Sequence, residues 1–134
     1  MNVVLDTNVL VSGVFFGGVP GRILEAWKNN ALTLIVSPPI LEEYRRVGAL
    51  LAAEYEGVDL EPVLTLVAIH ALVVEPATLP VRVCDDRDDE KFIACAAAGG
   101  ARVVVSGDKG LRKASGWHGI EVLTPRTFVD RYMR

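Results

Sequence analysis

Apolar positions along the chain follow two rhythms. Short β-branched runs alternate with longer stretches whose apolar residues recur every three or four positions, the signature of alternating strands and helices. The short runs predict strands over residues 2–5, 33–36, 71–74, 102–106 and 121–123. Between the first two, Gly17-Gly18-Val19-Pro20-Gly21 reads as a loop, followed by a short helix carrying Ile23, Leu24 and Trp27 on one side. The longer period predicts helices over 38–56 and 61–70, each with a proline near its first turn, where the missing N–H costs nothing. Another helix starts near Asp88 and closes at Gly99-Gly100, as expected of a helix C-terminus. The expectation is one domain over residues 1–134, an α/β fold of three layers (α/β/α) with a mainly parallel central sheet.

Two of the strands deliver a carboxylate at their end. Val3-Val4-Leu5 runs into Asp6, flanked by Thr7 and Asn8, and Val103-Val104-Val105 leads through Ser106-Gly107 to Asp108. Ligands of open parallel sheets bind beyond the carboxyl ends of the strands, so two acids aimed there suggest a site for a hard cation. Helical periodicity adds two more. In the helix after Ser37, the expected N-cap, Ile40, Leu41, Tyr44, Val47, Leu50 and Leu51 cover one sector at about 100° per residue. Glu43 falls inside that sector, whereas Glu42, Arg45 and Arg46 fall outside it. Residues 85–90 hold five acids in six positions just before the apolar Phe92, Ile93 and Ala96. Asp85, Asp86 and Asp88 need no more than a capping role at a helix N-terminus. Asp89 points inward on the same count, while Glu90 and Lys91 point out.

Asp6, Glu43, Asp89 and Asp108 cannot converge unaided, because like charges a few ångströms apart raise one another's pKa unless a cation neutralises them. Oxygen-only ligation suits Mg2+ or Mn2+ far better than zinc. Such ions ionise a bound water and stabilise charge on a leaving oxygen, so a phosphodiester hydrolase needs no catalytic histidine. The formal net charge of −3 argues against holding nucleic acid by diffuse positive potential, yet bound metal would supply positive charge locally. Two cysteines, Cys84 and Cys95, make neither a zinc site nor a disulfide framework, and a reducing cytoplasmic setting is expected. No apolar run reaches membrane-spanning length without a polar interruption, and no secretory pattern is visible.

Taken in order, Asp6-Thr7-Asn8, Ser37-x5-Glu43, Asp86-x-Asp88-Asp89-x-x-Phe92-Ile93-Ala94 and Ser106-Gly107-Asp108-Lys109-Gly110-Leu111 resemble the PIN-domain ribonucleases. The likeness is to those related to VapC-type toxins of bacterial and archaeal toxin–antitoxin modules, and it runs from residue 2 to about Pro125. It implies a PIN-like fold and a Mg2+- or Mn2+-dependent endoribonuclease. Asp6, Glu43, Asp89 and Asp108 would be its catalytic and metal-holding acids. Asn8 and Ser106 would support them, with Asp86 either a fifth acid or a cap. It further implies an RNA substrate, a small antitoxin partner and self-association, as a dimer. The chain departs from close relatives at Arg87, where they usually carry proline, and at Ser106, where threonine is common. Both concern loop shape more than ligand chemistry.

Lys109, Arg112 and Lys113 follow Asp108 and are candidates for phosphate contacts, with a plain solvated face as the alternative. His70 and His118 have no partner at ligand spacing, and the glycine-rich 17–21 segment matches neither a Walker loop nor a dinucleotide fingerprint. Two rivals to the nuclease reading stand. One is a catalytically idle PIN-like module that binds RNA or protein. The other is a phosphotransfer protein with Asp6 as acceptor, disfavoured because position 8 is Asn where a dehalogenase-like site wants a second Asp.

Overall fold

The computed structural model describes residues 1–133. Five strands, β1 (Asn2–Leu5), β2 (Thr33–Val36), β3 (Leu72–Val73), β4 (Val103–Val105) and β5 (Glu121–Leu123), form a sheet in the order β3-β2-β1-β4-β5. Every pairing is parallel, with Val3, Val4 and Leu5 opposite Val103, Val104 and Val105. The central strands are near-continuous Val/Leu/Ile runs with both faces covered, as a parallel sheet requires. Only β3, two residues long at the edge, is exposed.

Among the described residues, seven α-helices surround the sheet: α1 (Thr7–Phe15), α2 (Gly18–Lys28), α3 (Pro38–Glu54), α4 (Glu61–His70), α5 (Glu90–Gly99), α6 (Lys109–Arg112) and α7 (Pro125–Tyr132). Helix α5 lies across β1, β2 and β4, burying Phe92, Ile93, Ala94, Cys95 and Ala96. Its small residues permit that close approach. A Cβ on Gly99 would come within 2.4 Å of Ile35 Cγ2, whereas Gly100 takes the left-handed capping conformation at φ 66°. Helix α1 packs on α2 and α3, and α7 packs on α2. Fully burying a Leu10, Ile40 or Phe128 side chain is worth about 1.5–3 kcal/mol each, so these contacts dominate the hold of helices on sheet.

The central sheet is parallel as expected, here at every pairing, and the five strand positions and the helices beginning at Pro38 and Glu61 lie where the sequence pattern puts them. Three local expectations change. Helices α1, α6 and α7 are additional to the predicted elements. The expected glycine-rich loop shrinks because α2 already begins at Gly18, leaving Gly17 and Gly18 in the positive-φ region as the turn between α1 and α2. Ser37 occupies the N-cap position of α3 without a side-chain capping bond. Among the described residues, no single helix is long and apolar enough to cross a membrane.

The order of the strands determines where a site can form. From β1 the chain steps one way through β2 to β3, then returns to the other side of β1 for β4 and β5. The reversal leaves a crevice beyond the carboxyl ends of β1 and β4, which is where ligands bind in such sheets.

Candidate functional site

Asp6 and Ser106 continue β1 and β4 into that crevice. The Asp6 N–H donates to the Val105 carbonyl at 2.9 Å, and the Ser106 N–H to the Leu123 carbonyl at 2.8 Å, so the ladder itself fixes both residues. Asp6 occupies the N-cap position of α1 but makes no capping bond with its side chain. Its Oδ2 instead accepts a 2.6 Å hydrogen bond from Ser106 Oγ, which in turn accepts from the Asp108 N–H at 3.0 Å. One buried hydroxyl thereby ties the acid after β1 to the acid after β4. Asp108 caps α6, its Oδ2 accepting from the Leu111 N–H at 2.9 Å.

Asp89 ends a 3₁₀ turn (Arg87–Asp89) that leads into α5. It faces Asp108 across Gly110. A Cβ added at Gly110 would lie 3.2 Å from Asp108 Oδ2 and 3.9 Å from Asp89 Oδ2, so the two carboxylates flank one point that glycine leaves open. Asp86 caps the turn through its Oδ1, which accepts from the Asp88 N–H at 2.9 Å. Of the two expectations for Asp86, this contact realises the cap.

Glu43 projects from α3 toward the same end of the sheet and is buried. The neighbouring Tyr44 hydroxyl donates to the Leu5 carbonyl at 2.5 Å, which pins α3 to the last residue of β1. Both Glu43 oxygens have partners. Thr7 Oγ1 donates to Oε2, and Lys91 Nζ lies 2.7 Å from Oε1, with the Arg46 guanidinium at 3.7 Å. Lys91 also reaches Asp88 Oδ1 at 2.9 Å.

Lys91 thus lies inside the site, contrary to the expectation that it points out. Its backbone lies within α5, where the angular count applies, but that count gives the direction of the Cα–Cβ bond only, and the long side chain carries its ammonium sideways to Glu43 on α3 and Asp88. The Asp88/Lys91 spacing of three, a usual ion-pair spacing on a helix, is the signal that could have found it. Thr7 and Tyr44 are further residues that sequence reasoning did not place in the site.

The electrostatics divide the acids into two groups. Burial raises the pKa of Asp6, with Glu43 and Asp108 adding to the rise and the Ser106 hydroxyl opposing it. Asp89 is pushed up to about 6, first by burial and then by Asp108, Asp86, Asp6 and Asp88. Among the described residues, no ion pair reaches Asp6, Asp89 or Asp108. Asp88, by contrast, is lowered by its hydrogen bond to Lys91. Burial pulls the Lys91 ammonium down, but Glu43 and Asp88 outweigh it and hold the group above its ordinary value.

Other predicted residues lie on the periphery. Asn8 is exposed on the first turn of α1 and makes no side-chain hydrogen bond among the described residues. Lys109 and Lys113 are exposed, and Lys113 approaches Asp85 at 3.8 Å between two solvated side chains. Arg112 is half-buried with its Nε lacking a hydrogen-bond partner among the described residues.

The donor set of the crevice is all oxygen, and among the described residues three of its carboxylates have no cation beside them. That chemistry fits a hard divalent ion. As the side chains stand, no three acidic, histidine or cysteine side chains among the described residues are close enough together to enclose an ion.

An all-parallel sheet with acids at the switch between β1 and β4 defines a class of domain, and residues 2–110 match the model of the PIN domain. The chain belongs to the PIN-domain family, whose members are generally nucleases that use divalent metal ions. The uncharacterized protein MJ1680 of Methanocaldococcus jannaschii is similar at 30% identity, over 98% of this chain and 92% of the relative.

Proposed function

We propose that the protein is a divalent-metal-dependent endoribonuclease and the toxin of a toxin–antitoxin pair. The observation that carries the catalytic part is the group Asp6, Asp89 and Asp108, three carboxylates at the switch point of the sheet with no cationic side chain paired to them among the described residues. Asp6 is rigidly mounted, because strand pairing fixes its backbone and Ser106 fixes its carboxylate. Asp108 uses Oδ2 to hold α6 and leaves Oδ1 for a ligand. Asp89, with no hydrogen bond to its side chain among the described residues, supplies the third oxygen donor. An Mg2+ or Mn2+ ion held by these groups would supply the positive charge that ionises a water and stabilises a phosphodiester's leaving oxygen. Glu43, the fourth acid, is held by Thr7 and Lys91 at the edge of the same crevice.

Lys109, Arg112 and Lys113 come directly after Asp108 and are suited to phosphate contacts that position RNA without reading sequence. Asn8, two residues beyond Asp6 on the first turn of α1, and Asp86, which caps the turn leading to Asp89, would support these acids from outside. The toxin role brings with it a small antitoxin as partner and self-association of the chain, both supported by the family likeness. Purified protein incubated with mixed RNA and Mg2+ or Mn2+ tests the activity against Asp6→Asn and Asp89→Asn. Cleavage that requires metal and disappears in both variants is expected; equal activity in all three discards the reading. Co-expression with the product of the adjacent gene tests the toxin role, through relief of growth arrest.

A further inference from the structure

Lys91 is a long, strongly hydrated side chain with only 17% of its surface exposed, and it bridges two carboxylates. A lysine is rarely so enclosed unless its charge is matched, and here Glu43 and Asp88 match it. Resting on the metal-dependent reading above, we infer that Lys91 fills the place of a second cation. The crevice then takes one divalent ion, on Asp6, Asp89 and Asp108, while Glu43 acts as a positioning group committed to the ammonium.

Three observations converge on this. Both Glu43 oxygens are already satisfied, one by the Thr7 hydroxyl and one by Lys91 Nζ at 2.7 Å, with Arg46 adding positive charge at 3.7 Å. A divalent ion on Glu43 would face an ammonium and a guanidinium at contact range. Expelling Lys91 would break its ion pair to Asp88 at 2.9 Å as well. The remaining acids show the opposite condition: the Asp89 and Asp108 carboxylates flank the open point at Gly110, and among the described residues no ion pair reaches Asp6, Asp89 or Asp108. Uncompensated charge attracts a cation, and compensated charge does not. The Thr7–Glu43–Lys91–Asp88 chain also links α1, α3 and the entry to α5, so the ammonium sets the width of the crevice beside the single ion.

Counting Mn2+ bound to EDTA-stripped protein, by calorimetry and by loss of the free-ion paramagnetic resonance signal, tests the inference. Wild type is expected to bind one ion per chain, Lys91→Met two, and Lys91→Arg one. Added Mn2+ is expected to raise the melting temperature of Lys91→Met more than that of wild type, because the unpaired Glu43 then gains a cation. If Lys91→Met does not fold, Glu43→Gln decides. It is expected to leave affinity for the single ion within about threefold, while Asp89→Asn weakens it by at least about tenfold. Two ions in wild type, one ion in folded Lys91→Met, or a Glu43→Gln loss as large as that of Asp89→Asn overturns the assignment while leaving metal-dependent chemistry intact. No binding in any variant overturns both.

Discussion

Replacing Asp89 with asparagine should make the metal-free protein more stable and the metal-binding protein worse. The Asp89 side chain has no hydrogen bond or ion pair among the described residues, so Asp89→Asn removes charge without removing a contact. Its carboxyl is held at about 6 instead of 3.8 because burial and the carboxylates of Asp108, Asp86, Asp6 and Asp88 disfavour the ionised form. That difference corresponds to at most about 3 kcal/mol. The group is only partly buried, so solvent screening reduces the usable figure to about 1 kcal/mol. The sign comes from proton binding. With its folded pKa above the unfolded value, the native state holds more protons than the unfolded one between about pH 4 and 6, and stability falls as pH rises through that window. Below it both states are protonated and the variant gains nothing; above it the full penalty is present. In EDTA the variant should therefore melt about 3–6 °C above wild type at neutral pH and level with it near pH 4. With Mn2+ in excess the order should reverse, because wild type gains the larger ligand-linked term. Calorimetric melts across pH, with and without Mn2+, provide the measurement. A variant that melts below wild type in EDTA at neutral pH, or that keeps the Mn2+ shift, refutes the reasoning.

Contacts around the crevice lead to three further outcomes. Ser106→Ala removes the hydroxyl that bridges Asp6 and the Asp108 N–H, and should weaken Mn2+ binding about tenfold with little change in fold, read by titration. Tyr44→Phe leaves the Leu5 carbonyl without its buried donor and should cost about 1–2 kcal/mol in a urea melt; an unchanged midpoint would show that the bond does not anchor α3. Gly99→Ala drives a methyl to within 2.4 Å of the stiff Ile35 side chain and should cost about 1–3 kcal/mol, although alanine is the better helix former. A neutral or stabilising result would mean that α5 can slide on β2.

The strands are legible in the sequence because a parallel sheet buried on both faces leaves unbroken β-branched runs, as at Val103-Val104-Val105. The helix over Thr7–Phe15 is hidden for a related reason. Its residues Val9, Leu10 and Val11 are all buried, so it lacks the amphipathic period that marks a surface helix, and it abuts the apolar strand with only Asp6 between. Helix α7 is short and its buried face is carried by Phe128 and Val129 alone. Strand ends and helical phase point to the four acids, since backbone periodicity sets direction. Their partners are less visible. Ser106 is named only through the family resemblance, because its bond to Asp6 spans a hundred residues of sequence and depends on strand order. Lys91 escapes the helical count because periodicity gives the direction of a Cβ and not the reach of a four-carbon side chain toward a partner on another helix.

Each acid at the switch point except one has a local partner for its side chain, although only Glu43 meets a cation among the described residues. Asp6 accepts from Ser106, Asp108 accepts from the Leu111 N–H, and Glu43 is held by Thr7 and Lys91. Of the four, Asp89 alone has no side-chain partner among the described residues, and it sits at the entry to α5, beside the glycine that keeps the crevice open. Neutral donors leave Asp6 and Asp108 charged, so the crevice keeps its negative charge, and Asp89 adds to it a carboxylate that no donor stabilises. The unbalanced carboxylate is therefore the physical link between the instability expected of the metal-free protein and its expected affinity for metal, and neutralising Asp89 should lessen both together.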